Sequence, residues 1–230
     1  MSEIIQLKNV YKAYTLGQIK QAVLHDISLS VATGEFVAIV GASGNGKSTL
    51  LNLLTGIDRP CQGEVIVSGS ALHRLSEEKL SRWRGSNIGI VFQFFQLLPS
   101  LTLLQNILLP MDFIATLPKK QRLERAKYLL DLVGLSAQAQ QLPSQVSGGQ
   151  QQRAAIARAL ANDPALIVAD EPTGNLDIAT ADAVFELFAQ LQQQGKTLVM
   201  VTHNEDLAQS ASRRIVIHGG RIHHDSQNAE

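Results

Sequence analysis

Five short, nearly unbroken apolar runs punctuate the chain: FVAIV at 36–40, IGIVF at 88–92, ALIVA at 165–169, TLVMV at 197–201 and RIVIH at 214–218. Runs of this length predict strands, and their lack of polar alternation predicts burial on both faces, as in a parallel sheet. Helical periodicity separates them. Leu123, Ala126, Leu129, Leu130 and Val133 share one face of 119–133, which Gly134 would stop. Val184, Leu187, Phe188 and Leu191 form a second stripe within 179–194, ending before Gly195. The segment 4–38 reads instead as antiparallel strands, with DISLSVATGEF as two strands around a Thr33-Gly34 turn. A mostly helical block spans 97–160, and βα units resume after it. The pattern predicts an α/β core with a helical insertion. The closing HHDSQNAE reads as a frayed tail.

Composition narrows this only slightly. With 230 residues, 45% of them hydrophobic, the chain can bury one large core, with or without a subdomain. Lys plus Arg equals Asp plus Glu at 20 each, which argues against a general nucleic-acid binder. A single cysteine, Cys61, rules out an intrachain disulfide and fits a reducing compartment. The opening MSEIIQLKNV does not read as a secretory signal. The most apolar stretch, LLPSLTLLQNILLPMDFIATL, is broken by Pro99, Gln105, Asn106, Pro110 and Asp112, so the chain is not expected to span a membrane by itself. It can still bind a membrane protein.

The chemistry starts at GASGNGKSTL, directly after FVAIV. Gly41, Gly46, Lys47 and Ser48 match the phosphate-cradle spacing G-x-x-x-x-G-K-[ST], with a strand before and a helix after. Ser43, Gly44 and Asn45 fill the loop, and Thr49 follows Ser48. Glycines let backbone N–H groups turn inward around a polyanion, and the helix start adds its unpaired N–H groups. Lys47 would neutralise the outer phosphates, and the Ser48 hydroxyl would ligate Mg²⁺. ALIVADEP supplies carboxylates at a strand end, where open α/β sheets bind ligands. Two adjacent carboxylates there are costly without a cation. The natural division gives Asp170 the Mg²⁺ and Glu171 the polarisation of an attacking water.

Further segments then resemble one family. VSGGQQQRAAIARAL at 146–160 is similar to the signature motif of ATP-binding-cassette (ABC) ATPases. GNLD at 174–177 resembles the D-loop, VMVTHNEDLA at 199–208 the switch-histidine segment, and VFQFFQLLPSLTLLQNILLP at 91–110 the Q-loop and coupling region. VYKAY places Tyr14 where the family has an adenine-stacking aromatic; Tyr11 is the nearby alternative. The resemblance runs in order from about residue 4 to residue 222. It implies a P-loop NTPase (RecA-like) core with an N-terminal antiparallel β-subdomain and an inserted α-helical subdomain. One ABC ATPase domain would fill 1–230, with 97–160 as the helical signature subdomain.

The resemblance also implies roles. Ser147, Gly148, Gly149 and Gln150 would form a second helix-start anion site, closing on the nucleotide of another subunit. The active species would be a head-to-tail homodimer holding two ATP molecules. Gln93 would touch Mg²⁺ or water, His203 the γ-phosphate, and Asp177 the dimer contact. His25, His73, His218, His223 and His224 receive no role. Val146 stands where Leu is commoner, Asn45 replaces a usual Ser in the cradle, and Gln105 stands where many relatives carry Glu. A small polar Asn45 keeps the backbone donors available. GNLD with the coupling region most resembles the macrolide-efflux and lipoprotein-releasing subfamily. That implies a peripheral protein on the cytoplasmic face of the inner (plasma) membrane. Bound to an integral membrane permease, it would power export, lipoprotein release or mechanotransmission. The alternatives are the related cell-division pair and a soluble ABC ATPase of DNA repair, translation or cluster assembly.

Overall fold

A computed structural model describes residues 2–17, 19–203 and 208–227. The first two strands, β1 (Glu3–Leu16) and β2 (Ile19–Ala32), pair antiparallel. β3 (Phe36–Val40) leads through the glycine loop into α1 (Lys47–Leu54). β4 (Gln62–Val67) and β5 (Ser70–Ala71) extend the first sheet, which has the order β2-β1-β4-β5. Next come α2 (Glu77–Asn87) and β6 (Ile88–Val91). The helical block holds α3 (Leu103–Ile114), α4 (Lys119–Leu132) and α5 (Gly148–Ala159). The chain returns through β7 (Leu166–Asp170), α6 (Ile178–Gln193), β8 (Thr197–Thr202), β9 (Arg213–His218) and β10 (Arg221–Asp225).

The second sheet has the order β10-β9-β3-β8-β7-β6. Its strands are parallel except at the β10 edge, which runs antiparallel to β9. β3 explains why its sequence lacks polar alternation. Phe36, Ala38 and Val40 join a core with α3–α6, whereas Val37 and Ile39 face a second core with α1 and the antiparallel sheet. Both faces are covered, so every side chain of β3 is apolar and buried.

Two expectations need correction. The Thr33-Gly34 turn does not close a hairpin: β2 belongs to the antiparallel sheet, while Phe36 pairs with Leu198 in the parallel one. β4 and β5, beyond the 4–38 segment, complete the antiparallel sheet. The closing segment is not frayed through 225. His223, His224 and Asp225 lie in β10, and Asp225 is buried in a two-pronged ion pair with Arg213, at 2.8 and 2.6 Å. Residues 228–230 lie outside the described residues.

Candidate nucleotide site

Four neighbouring strands of the large sheet deliver the site from their carboxyl ends. β3 delivers the glycine loop, β8 His203, β7 Asp170 and Glu171, and β6 the segment with Gln93. Because β3, β8, β7 and β6 are adjacent, residues far apart in sequence line one cavity of about 650 Å³. Ser43, Gly44, Gly46, Lys47, Ser48 and Thr49 form one wall. Gln93, Asp170, Glu171 and His203 form the other.

The loop conformation demands its glycines. Gly41, Gly44 and Gly46 have φ of 149°, 82° and 90°, values that side chains with a Cβ adopt at a cost. A Cβ on Gly41 would also collide with the Ile217 carbonyl. α1 starts at Gly46 with no side-chain cap, so its first N–H groups remain available to an anion. Asn45 also has a structural role. Its amide donates to the Ile217 carbonyl at 3.2 Å and accepts from the Gly219 N–H at 3.3 Å, stapling the loop to the end of β9. Lys47 is buried, and its ammonium donates to the carbonyls of Gly41 and Ala42 at 2.7 and 3.0 Å.

The two carboxylates diverge as their adjacency requires. Asp170 accepts from the Ser48 hydroxyl at 3.2 Å. Burial pushes its pKa up, and the neighbouring Glu171 charge adds to the rise. Glu171 takes a left-handed φ of 46°. Its carboxylate turns to the other side, 2.8 Å from Nδ1 of His203. Ser48 and Asp170 thus present oxygen donors in contact, Gln93 lines the same cavity, and burial destabilises the Asp170 charge. This donor set suits a hard divalent cation such as Mg²⁺. Residues 204–207 of the histidine segment lie outside the described residues.

The segment carrying Gln93 is held from two sides. Asn175 donates to the Gln93 carbonyl at 3.1 Å. Arg158, near the end of α5, donates to the carbonyls of Phe95 (2.8 Å) and Gln96, both in left-handed conformations. Tyr14 lies outside the cavity wall, and its hydroxyl donates to Asp58 at 2.8 Å. Burial and the Asp58 hydrogen bond raise the Tyr14 pKa.

Ser147, Gly148, Gly149 and Gln150 stand at the start of α5, away from this cavity. The Ser147 hydroxyl accepts from the Gln150 N–H at 3.3 Å, and the Gln150 side chain accepts from the Ser147 N–H at 2.9 Å. This reciprocal cap leaves the hydroxyl proton available to an outside acceptor. Gly149 packs so closely on Thr180 that a Cβ there would clash. Asp177 caps α6 by accepting from the N–H and hydroxyl of the same Thr180, at 3.0 and 2.7 Å. Sequence reasoning missed Val23, which lines the cavity, and the anchoring roles of Asn175, Arg158 and Asp58. Val23 leaves no sequence signal because it contributes only an apolar wall.

Comparison with known proteins agrees with this geometry. The family model described as "ABC transporter" matches residues 24–174. An ABC transporter ATP-binding protein of Thermotoga maritima is 49% identical over 222 residues, covering 96% of this chain and 94% of its own length. The Bacillus subtilis ABC transporter ATP-binding protein YknY is 43% identical, with 95% of each chain covered. The ATP-binding cassette MJ0796, solved as a dimer in a post-hydrolysis state with ADP and Pi, superposes with a TM-score of 0.90 at 40% identity, covering 96% of this chain and 97% of its own. Clostridium perfringens cbiO1, part of the ABC transporter complex cbiONQ, gives a TM-score of 0.86 at 27% identity, covering 98% of this chain and 88% of its own. The chain belongs to the ABC transporter family and is an ATP-binding, ATP-hydrolysing protein with the P-loop NTPase fold.

Proposed function

We propose that two copies of this chain bind head to tail and clamp two ATP molecules, each between the cradle of one copy and the Ser147 end of the other. The observation that carries this reading is the placement of Ser147. It is exposed at a helix start with an available hydroxyl proton, yet it lies outside the cavity of its own chain. The dimeric state of the cassette MJ0796 supports the same arrangement.

Within each site, Lys47 and the bare start of α1 hold the phosphates. Ser48, Asp170 and Gln93 would hold Mg²⁺, which when bound supplies charge neutralisation of the phosphates. Glu171 orients and polarises the attacking water, and His203 holds the Glu171 carboxylate and faces the terminal phosphate. Asp177 shapes the dimer contact through Thr180.

The partner is an integral membrane permease, and no nucleic acid is involved. α3 presents a groove with Leu109, Pro110, Phe113 and Ile114 against Arg82 and Glu78. Phe113 is 79% exposed, a conspicuous apolar contact for a surface without a partner. We place the protein on the cytoplasmic face of the inner membrane, driving export, lipoprotein release or mechanotransmission. The segment 97–160 serves as the subdomain that couples the partner to the site.

Gel filtration of Glu171→Gln with ATP and Mg²⁺ tests the clamp. A dimer that returns to monomer on removal of ATP is expected. A monomer at saturating ATP would overturn it. Co-purification from membranes, with identification of the bound subunit, tests the partner. A subunit bearing a large extracytoplasmic domain is expected, and purification without any membrane protein would count against the coupling.

A further inference from the structure

Behind the phosphate cradle, α1 ends in a tight turn. The N–H groups of Ile57 and Asp58 both donate to the Asn52 carbonyl, at 2.9 and 3.1 Å. This fixes the Asp58 carboxylate where two side chains of β1 meet it. Lys12 donates to Oδ1 at 2.5 Å, and the Tyr14 hydroxyl donates to Oδ2 at 2.8 Å. Lys12 and Tyr14 are two residues apart on one strand and so share a face. The Lys12 ammonium also donates to the Arg59 carbonyl at 2.8 Å and stands 4.8 Å from the centroid of the Tyr14 ring. Lys12 is 8% exposed, whereas Tyr14 is 37% exposed.

We propose that Asp58 is a positioning residue for recognition of the nucleotide base, acting through Lys12 and Tyr14. The inference rests on the reading of Tyr14 as the surface on which the base stacks. Asp58 holds the Tyr14 hydroxyl at one edge of the ring and the Lys12 ammonium over one face. The ammonium occupies that face by cation–π attraction, so a purine stacks on the other. The ring is thereby tethered to the helix whose opposite end receives the phosphates, which sets the spacing between base and triphosphate.

The test compares Mg-ATP with Mg-tripolyphosphate, which lacks the base, by titration calorimetry, together with steady-state kinetics. Tyr14→Phe keeps the ring and removes the tether. It is expected to weaken ATP binding several-fold, by part of the roughly tenfold value of a base stack, and to leave tripolyphosphate binding unchanged. Asp58→Ala should give the same loss, seen as a raised KM with a much smaller change in kcat. The combined Tyr14→Phe/Asp58→Ala variant should lose no more than either alone. Because Asp58→Ala strands a buried ammonium, Lys12→Met/Asp58→Ala serves as a second variant if the first does not fold. An unchanged preference for ATP over tripolyphosphate in Tyr14→Phe and the double variant, with that preference lost in Tyr14→Ala, overturns the positioning role alone. An unchanged preference in Tyr14→Ala removes the stacking assignment beneath it.

Discussion

Nδ1 of His203 lies 2.8 Å from Oε2 of Glu171, and the His203 backbone N–H approaches the same oxygen at 3.4 Å. The two residues close adjacent strands, and the left-handed backbone at Glu171 swings its carboxylate toward β8 instead of toward Asp170. A strained φ at a non-glycine costs about 1 kcal/mol or more. It persists here because the Glu171 N–H is tied to the Val201 carbonyl at 2.9 Å. His203→Ala should therefore release the carboxylate and lower kcat by about 100-fold, within the range for a lost acid–base partner. ATP affinity should change little, which steady-state kinetics beside equilibrium binding will show.

Lys47→Ala should abolish tight nucleotide binding, because the buried ammonium is the main positive charge in the cavity. Calorimetric titration with ATP reads this directly. Unaltered affinity would remove Lys47 from the cradle.

Asp170 gives a pH-dependent signature. Its pKa is raised above 3.8 by burial and by the Glu171 charge, so the folded chain holds this proton more tightly than the unfolded chain. Stability without a cation consequently falls as pH rises from 3.8 through the raised value, and the penalty is fully present above it. Asp170→Asn should raise the melting temperature of the nucleotide-free protein at neutral pH, on the order of 2 °C. The same variant should lose Mg²⁺-dependent nucleotide binding. Thermal melts at several pH values, with and without Mg-ATP, separate the two effects.

The buried Arg213–Asp225 pair makes the opposite claim. The Arg213 guanidinium holds the Asp225 pKa below 3.8. Its stabilisation is present above that value and is lost as pH falls through the lowered one. Asp225→Ala leaves Arg213 buried with a weakened set of partners and should cost about 3 kcal/mol in urea unfolding. A cost near zero would mean that β10 is dispensable.

If each site needs two chains, specific activity should rise with protein concentration until the dimer saturates. Turnover per chain, measured across a dilution series, should fall at the low end. A flat profile would place the whole site in one chain.

Much of this was legible because the relevant signals are local. The glycine spacing at Gly41–Ser48 and the acidic pair at Asp170–Glu171 each sit within a few residues, beside strands whose apolar runs are unambiguous. The errors arose where partners are distant. Thr33-Gly34 looks the same whether it joins two strands of one sheet or two sheets, and only the pairing of Phe36 with Leu198 decides. β10 carries one apolar residue, Ile222, and its place depends on an ion pair to Arg213. α2 buries only Leu80 and Trp83, too thin a stripe for periodicity to reveal. Asn45 gave a polar side chain without an address, since its partners are at Ile217 and Gly219.

The strand order has a further consequence for the newborn protein. β3 emerges from the ribosome early, yet both of its neighbours, β8 and β9, are translated after Gln193. The nascent chain must keep the middle of its largest sheet unzipped until almost all of it has been made, with naked apolar edges open to aggregation. A premature stop between the glycine loop and β8 yields a polypeptide whose loop-bearing strand has neither of its neighbours. The strand that carries the phosphate loop is therefore completed last.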